Sequence, residues 1–203
     1  MRIFLDTSDV DVIRKHCETG LIDGVTTNPS LIAKSGKDMA ETIKVICSIV
    51  SGPVSAEVTA TEYEKMLEEG LYLASLAKNV AVKVPLTPAG LRTCKSLREK
   101  DIMVNVTLCF SSAQALLAAK VGATFISPFV GRLDDIGEKG MDLISDIVIM
   151  YENYGFDTEV LVASIRNTQH LIDSAVIGAH VATLPPKVIH ELYKHLRKLI
   201  FVG

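Results

Sequence analysis

A lysine stands inside an apolar stretch of the sequence, at Lys83 in VAVKVP (80–85). Lysine is almost never fully buried without a partner or a task, because its ammonium is costly to remove from water. Apolar surroundings disfavour the charged form and leave neutral amine, which can attack carbonyl carbons. The alternative is a lysine that reaches solvent at the rim or forms a structural pair with Glu57 or Asp6. The position favours a nucleophilic amine.

Two arginines follow similar short apolar runs. Arg132 comes after SPFVG and Arg166 comes after VAS, with Ser164 two residues before it. A planar guanidinium matches the oxygens of a phosphate group, and a serine hydroxyl can add a further donor. The alternative for each arginine is a surface salt bridge with one of three nearby acids, Asp134, Asp135 or Glu138. Taken together, the two arginines favour a phosphate site.

The remaining candidate residues are polar side chains at the ends of other apolar runs: Asp6, Thr26, Asn28, Glu57, Asn105, Thr107 and Ser127. Each of them alone has an ordinary structural explanation. Asp6 can help to cap the helix that follows it, and Asn28 before Pro29 is typical of a turn. Their shared position at run ends is more informative than any one of them.

The elements that would position these residues form a repeating pattern of short apolar runs and longer helical segments, which is typical of a parallel α/β fold. Eight runs are candidate strands: 3–6, 24–28, 54–58, 80–85, 102–107, 123–129, 159–164 and 179–184. Eight such units predict a single (β/α)8 barrel, the TIM barrel, over residues 1–203. The carboxyl ends of all its parallel strands share one face, where barrel active sites lie.

Capping residues and glycines indicate where the intervening helices begin and end. Ser8, Thr61 and the pair Thr87-Pro88 precede helical segments and predict their starts. Three glycines are predicted to end helices: Gly20, Gly70 and Gly122.

Composition restricts the function further. The chain has 203 residues, a net charge of −3 and 48% hydrophobic residues, which gives no reason to expect nucleic acid or an anionic membrane as a partner. No apolar run is long enough to span a bilayer, and the chain begins on a strand-like segment, so we expect a cytoplasmic protein. The four cysteines are scattered, and neither a metal site nor a dinucleotide or nucleotide motif is predicted, so we expect no metal and no cofactor.

These residues lie in motifs that resemble those of the small transaldolases and their relatives, the fructose-6-phosphate aldolases. The similarity extends over nearly the whole chain, and its motifs are FLDTSD (4–9), GVTTNPSLIAK (24–34), VSAEV (54–58), VKVPLT (82–87), the long segment 105–137 and VASIRN (162–167). The resemblance implies a barrel of the class I aldolase type that forms a Schiff base with a sugar-phosphate ketone.

The resemblance also implies a role for each candidate. Lys83 matches the Schiff-base lysine, and Asp6 matches the general acid and base. Glu57 and Thr107 match the pair that holds the catalytic water and transfers protons. Four positions match residues that orient substrate hydroxyls: Thr26, Asn28, Asn105 and Ser127. Three positions match the phosphate site: Arg132, Ser164 and Arg166.

Two positions favour the transaldolase branch over the aldolase branch. The aldolases resemble this chain but carry glutamine at the position of Glu57 and tyrosine at the position of Phe129. The implied reaction transfers dihydroxyacetone from sedoheptulose 7-phosphate to glyceraldehyde 3-phosphate. The alternatives are fructose-6-phosphate cleavage and a barrel that binds phosphosugars without turnover.

The carboxyl-terminal segment departs from the family pattern. After TLPPKVIHEL (183–192) the chain ends on YKHLRKLIFVG, so a shortened last helix is expected over about 185–203. In related proteins the longer tail reaches towards a neighbouring subunit. The resemblance implies a homo-oligomer, a pentameric ring or a decamer, and a shorter tail would bear on both assembly and exclusion of water.

Overall fold

Eight parallel strands form a closed barrel in chain order, each paired with the strands before and after it. The computed structural model describes residues 1–29, 32 and 38–194. The strands are β1 (Arg2–Asp6), β2 (Gly24–Thr26), β3 (Val54–Glu57), β4 (Val80–Pro85), β5 (Met103–Cys109), β6 (Phe125–Pro128), β7 (Glu159–Val162) and β8 (Val181–Leu184). This architecture confirms the predicted single (β/α)8 barrel. All eight predicted strands are present, although most boundaries differ by one or two residues.

Helices cover the outside of the barrel. The described part of the chain contains α1 (Val10–Cys17), α2 (Met39–Ile49), α3 (Tyr63–Leu76), α4 (Pro88–Arg98), α5 (Ser112–Lys120), the short α6 (Val130–Asp134), α7 (Gly140–Tyr154), α8 (Thr168–Ile177) and α9 (Pro186–Leu192). Their apolar faces pack on the outward-facing side chains of the strands, such as Val82 and Val104, and form one continuous core. Within the described residues, no helix is both long and apolar enough to cross a membrane.

Two of the predicted helix starts are one residue too early. The Asp9 side chain, not that of Ser8, accepts hydrogen bonds from the amides of the first turn of α1. The residue that precedes α3 is Glu62, not Thr61, and its side chain makes no capping bond. The prediction for α4 is correct, because Thr87 accepts a hydrogen bond from the Gly90 amide.

The prediction that Gly70 ends a helix is wrong. Gly70 lies inside α3, where a Cβ atom would stand 3.1 Å from Leu97 and 3.3 Å from Val82. Its lack of a side chain allows α3 to pack closely against α4 and β4, which offsets the cost of glycine in a helix. Gly20 and Gly122 do follow helix ends, and both have the positive φ that favours glycine there.

The floor of the barrel is apolar. Inward-facing side chains from the lower parts of the strands form a separate buried cluster. In this cluster the Phe4 and Phe125 rings meet edge to face, with their centroids 6.0 Å apart. The Arg2 guanidinium lies over both rings and is paired with Glu159. Gly24 is required beside this cluster, since a Cβ there would come within 2.5 Å of the Phe4 ring. On β1, β4, β6 and β8 the next inward-facing position along the strand is polar, and these side chains contribute to the site described below.

Two expectations fall partly or wholly outside the described residues. The carboxyl-terminal tail from residue 195 onward is one of them, so the expected shortened last helix is described only as far as α9 and the residues to 194. The motif at 24–34 is the other, of which residues 24–29 and 32 are described.

Candidate active site

A cavity of about 510 Å³ opens at the carboxyl ends of the strands, which is the face where the sequence predicted a site. Most of the predicted site residues contribute to its wall. The lining comprises Asp6, Thr26, Asn28, Lys83, Thr107, Ser127, Phe129, Arg132, Ala163, Ser164, Ile165, Arg166, Thr183, Pro185, Lys187 and Val188. Residues from six strands that are far apart in sequence therefore meet around one space.

Lys83 is 8% exposed and points into this cavity from β4. Its Nζ atom lies 2.9 Å from Glu57 Oε2 and donates a longer hydrogen bond, 3.4 Å, to the Thr27 carbonyl oxygen. The parallel register pairs Glu57 with Lys83 directly, so that the two side chains emerge side by side on the inner face. The amine therefore has an immediate partner to which it can pass a proton, and it also faces open space.

Asp6 is the second ionisable group of the cavity. Burial raises the pKa of its carboxyl, and this effect outweighs a hydrogen bond from Thr26 and the attraction of Lys83, both of which lower the pKa. Thr26 Oγ1 donates to Asp6 Oδ1 at 2.8 Å and also lies 2.6 Å from Thr183 Oγ1. A carboxyl with a raised pKa holds its proton more readily than a free one and is suited both to accept a proton and to return it.

Hydroxyl and amide groups complete the inner wall. Ser127 donates to Asn105 Oδ1 at 2.8 Å, and the Asn105 amide donates to Ser55 at 3.1 Å. Asn105 is completely buried and does not line the cavity, whereas Ser127 does. Asn105 therefore acts from behind the wall, where its hydrogen bond fixes the position of Ser127. The buried Thr107 hydroxyl lines the cavity as well, and it has no hydrogen-bond partner among the described residues. A buried hydroxyl in that condition is suited to hold water or substrate.

The three predicted phosphate residues lie together at one side of the mouth. Arg132 and Arg166 are exposed and line the cavity with Ser164. Arg166 is bonded to Asp135 at 2.7 Å, so the salt bridge that the sequence offered as an alternative does form. No carboxylate of the described residues lies within salt-bridge distance of Arg132. The Arg166 guanidinium is therefore neutralised in part, whereas the Arg132 guanidinium is available to an anion.

Backbone geometry brings this part of the mouth together. Ser164 has a φ of +59°, which is unusual for a residue with a side chain and costs free energy. Its carbonyl oxygen accepts a hydrogen bond from the Gly131 amide at 3.1 Å. A Cβ at Gly131 would lie 2.3 Å from that oxygen and 2.5 Å from Arg166 Nε, so only glycine allows α6 to approach the end of β7 this closely.

Phe129 and Asn28 occupy opposite parts of the rim. The Phe129 ring lines the cavity and packs edge to face against Phe110, with ring centroids 5.8 Å apart. Asn28 is exposed and follows β2. Both positions therefore meet the space in which a substrate would lie.

Two polar residues of the lining, Thr183 and Lys187, and one residue behind it, His170, were not predicted from the sequence. Thr183 is the last residue but one of β8 and so lies near a strand end like the other polar residues, and the same positional signal would have identified it. Lys187 lies in the first turn of α9, where the helix dipole disfavours a cation. His170 had no predicted role, yet its ring bonds Asp134 at 3.0 Å and accepts a hydrogen bond from the Arg166 amide at 3.4 Å. It braces the arginine side of the mouth.

The raised pKa of Asp6 predicts how stability depends on pH. The folded state holds the Asp6 proton more tightly than the unfolded chain, in which the pKa of aspartate is about 3.9. Stability attributable to this group is therefore lost as pH rises from the unfolded pKa to the folded one. We expect Asp6→Asn, which keeps an acceptor for Thr26, to have a higher free energy of unfolding than the wild type at neutral pH. In urea titrations this difference shrinks as the pH falls towards about 4.

The matched control is Asp157→Asn, which removes one carboxylate from the surface. It should not reproduce the pH-dependent difference. An Asp6→Asn variant that is less stable than the wild type at neutral pH would contradict the argument.

The family described as Transaldolase/Fructose-6-phosphate aldolase matches residues 3–199. A "probable transaldolase" of Rhodospirillum centenum is 61% identical over 196 residues, covering 96% of this chain and 85% of that protein. Another from Caulobacter vibrioides is 59% identical over 195 residues, covering 96% of this chain and 90% of that protein.

A solved structure extends the likeness to the fold. The thiamine phosphate pyrophosphorylase of Pyrococcus furiosus superposes with a TM-score of 0.67 at 14% identity, over 100% of this chain and 97% of that one. At that identity the likeness concerns the barrel alone. The family match and the identities near 60% decide the relationship. The chain belongs to the transaldolase/fructose-6-phosphate aldolase family.

Proposed function

We propose that the protein is a transaldolase that moves a dihydroxyacetone unit from a ketose phosphate to an aldose phosphate through a Schiff base on Lys83. The observation that carries this proposal is a nearly buried amine, bonded to Glu57 at 2.9 Å, that opens into the same cavity as the Asp6 carboxyl. No cofactor is needed, because the iminium formed by the lysine serves as the electron sink.

The first step joins the ketose to the enzyme. Glu57 takes a proton from the Lys83 ammonium, and the neutral amine attacks the ketone carbon to give a carbinolamine. Loss of water then gives the iminium. The Thr107 hydroxyl, which has no other partner among the described residues, is suited to hold the water that leaves here and returns in the final hydrolysis.

The second step breaks the carbon–carbon bond. Asp6 accepts the proton of the hydroxyl two carbons beyond the iminium carbon, and the bonding electrons move into the iminium. An aldose phosphate departs and a three-carbon enamine stays on Lys83. The raised pKa of Asp6 makes its protonated form stable enough to return the proton to the acceptor aldehyde when the new bond forms. Hydrolysis of the new iminium releases the product ketose.

Substrate orientation is assigned to the polar wall and the arginine side of the mouth. Thr26, Asn28 and Ser127 line the cavity and would meet the hydroxyls, with Asn105 fixing Ser127 from behind. The phosphate would bind the three residues at the mouth, Arg132, Ser164 and Arg166. Sedoheptulose 7-phosphate and fructose 6-phosphate both carry their phosphate at the end opposite the ketone, as this layout requires.

Fructose-6-phosphate aldolase activity is the second candidate, and two residues disfavour it. Phe129 lines the cavity without a hydroxyl, whereas a tyrosine there could order water beside the enamine and promote its protonation. Glu57 is the carboxylate of the transaldolase branch. The enamine would then persist until an acceptor sugar arrives, which is the behaviour of a transferase.

The setting of the reaction also belongs to the proposal. With these substrates the enzyme would act in the pentose phosphate pathway, and we expect it in the cytoplasm. Assembly into a ring of identical subunits is supported by large apolar side chains on the outer surface, such as Ile172 and Val176 on α8, which are 51% and 82% exposed in the single chain.

Borohydride trapping tests the covalent step. After incubation with fructose 6-phosphate, reduction should attach a three-carbon unit to the peptide that carries Lys83, as measured by mass spectrometry. Lys83→Met should gain no mass and should lose activity by at least about a thousandfold, since no other group can replace the nucleophile. Lys120→Met, which alters an exposed lysine at the end of α5, is the control and should be trapped like the wild type. Wild-type protein that gains no mass would leave only a non-catalytic sugar-phosphate-binding barrel.

Dependence on an acceptor separates the two enzyme activities. With fructose 6-phosphate alone, we expect at most one equivalent of glyceraldehyde 3-phosphate per active site, because the enamine is not released. Adding erythrose 4-phosphate should start steady turnover, measured by coupled oxidation of NADH. Turnover at a similar rate without acceptor would show an aldolase instead.

The phosphate site predicts a selective effect on the Michaelis constant. A hydrogen bond to a charged group contributes about 1.5–3 kcal/mol, so Arg132→Ala should raise KM for phosphorylated substrates about tenfold to a hundredfold. The KM for unphosphorylated analogues should change little. The control Arg14→Ala, in the exposed part of α1, should change KM for neither type of substrate. Equal losses on both substrate types would contradict the assignment.

A further inference from the structure

A chain of two hydroxyl groups leads away from Asp6 inside the barrel. Thr26 Oγ1 lies 2.8 Å from Asp6 Oδ1 and 2.6 Å from Thr183 Oγ1. Thr26 and Thr183 belong to β2 and β8, the two strands that flank β1. Each threonine is 3% exposed, so the two hydroxyls have little access to solvent.

The number of protons in this chain limits its arrangement. Each hydroxyl has a single hydrogen to donate. When Asp6 is ionised, Thr26 must donate to the carboxylate, and therefore Thr183 must donate to Thr26. When Asp6 Oδ1 carries a proton, that proton can be donated to Thr26, which then donates to Thr183. The two hydrogen bonds are kept in both states by reversing their direction, and in the second state the hydrogen of Thr183 is left for the cavity that this residue lines.

We propose that Thr183 is a positioning residue for proton transfer, which acts through Thr26 to hold Asp6 ready both to take and to return a proton. This inference rests on the proposed function, in which Asp6 performs both transfers in one cycle. Without the Thr183 hydroxyl, one state of Asp6 would leave Thr26 with a hydrogen and no buried acceptor. The other state would deprive Thr26 of the donor that strengthens its bond to the carboxylate.

The other charged groups near Asp6 do not depend on Thr183. Lys83 faces Asp6 across the cavity and is held by Glu57, and the remaining cations of the lining are Arg132, Arg166 and Lys187. Among the described residues, the Thr183 hydroxyl has no hydrogen-bond partner besides Thr26. A Thr183 substitution therefore leaves these charges unchanged, and an altered pH dependence would report on Asp6.

The test compares Thr183→Val, which keeps the shape and removes the hydroxyl, with Thr183→Ser, which keeps the hydroxyl. Enzyme in excess over fructose 6-phosphate gives the rate of carbon–carbon cleavage in a single turnover, followed by release of glyceraldehyde 3-phosphate over a range of pH. Thr158→Val is the matched control, because it removes a buried threonine hydroxyl bonded to the Ala123 carbonyl oxygen away from the cavity.

We expect Thr183→Val to slow cleavage about three- to tenfold at neutral pH, and to move the acid limb of the pH profile about half a unit to higher pH. The direction follows because a weaker bond from Thr26 favours the protonated carboxyl, which cannot act as a base. Rapid borohydride reduction should then trap more of the intact six-carbon phosphate adduct on Lys83 than in the wild type. Thr183→Ser and Thr158→Val should resemble the wild type in cleavage rate and pH profile.

Three results would overturn the inference: a wild-type rate and pH profile for Thr183→Val, an equal loss in Thr183→Ser, or a loss confined to KM. The double variant Thr26→Val with Thr183→Val gives a second measurement. If Thr183 acts through Thr26, the double variant should be about as slow as Thr26→Val alone, whereas multiplied losses would show independent roles. A wild-type protein that forms no adduct would instead refute the proposed function, so the two failures are distinguishable.

Discussion

The pairing of β3 with β4 sets Glu57 directly beside Lys83 on the inner face of the barrel, and the chemistry of the site depends on this contact. An unpartnered ammonium would be costly at this depth, whereas the pair is tolerable because the carboxylate lies 2.9 Å from the amine. The pair is fixed by backbone hydrogen bonds of the sheet and not by a loop. The amine is therefore held in place while one side of it stays open to the cavity.

The barrel separates its stabilising and reactive parts along one axis. Successive inward-facing positions on a strand lie at increasing heights in the barrel, so that Phe4 lies in the apolar floor and Asp6, only two residues later, in the polar layer. The continuous apolar core between strands and helices supplies most of the favourable burial. This surplus offsets the cost of desolvating Asp6 and of the positive φ at Ser164.

The sequence predicted the barrel and most of the cavity wall because both follow from periodicity. Polar residues at strand ends must converge when eight parallel strands form a closed barrel, so Asp6, Lys83 and Ser127 could be placed at one site from the sequence alone. Tertiary contacts are less predictable. Gly70 was predicted to end a helix, whereas a glycine is needed there because Leu97 and Val82, which are distant in sequence, pack closely against it. Thr183 could have been found from its position near a strand end, but its hydrogen bond to Thr26 on β2 could not.

The closed floor has a consequence for the order of events. Phe4 and Phe125 fill the interior below the reactive layer, and Arg2 with Glu159 covers these rings from beneath, so nothing can pass through the barrel. Substrates and products must therefore enter and leave through the same cavity mouth, at the carboxyl ends of the strands. In the proposed reaction, a first aldehyde that still occupies the cavity beside the enamine would block the second, so the first aldehyde would have to leave before the second arrives. A ping-pong order of product release and substrate binding would thus be imposed by the shape of the barrel cavity as well as by the lifetime of the intermediate.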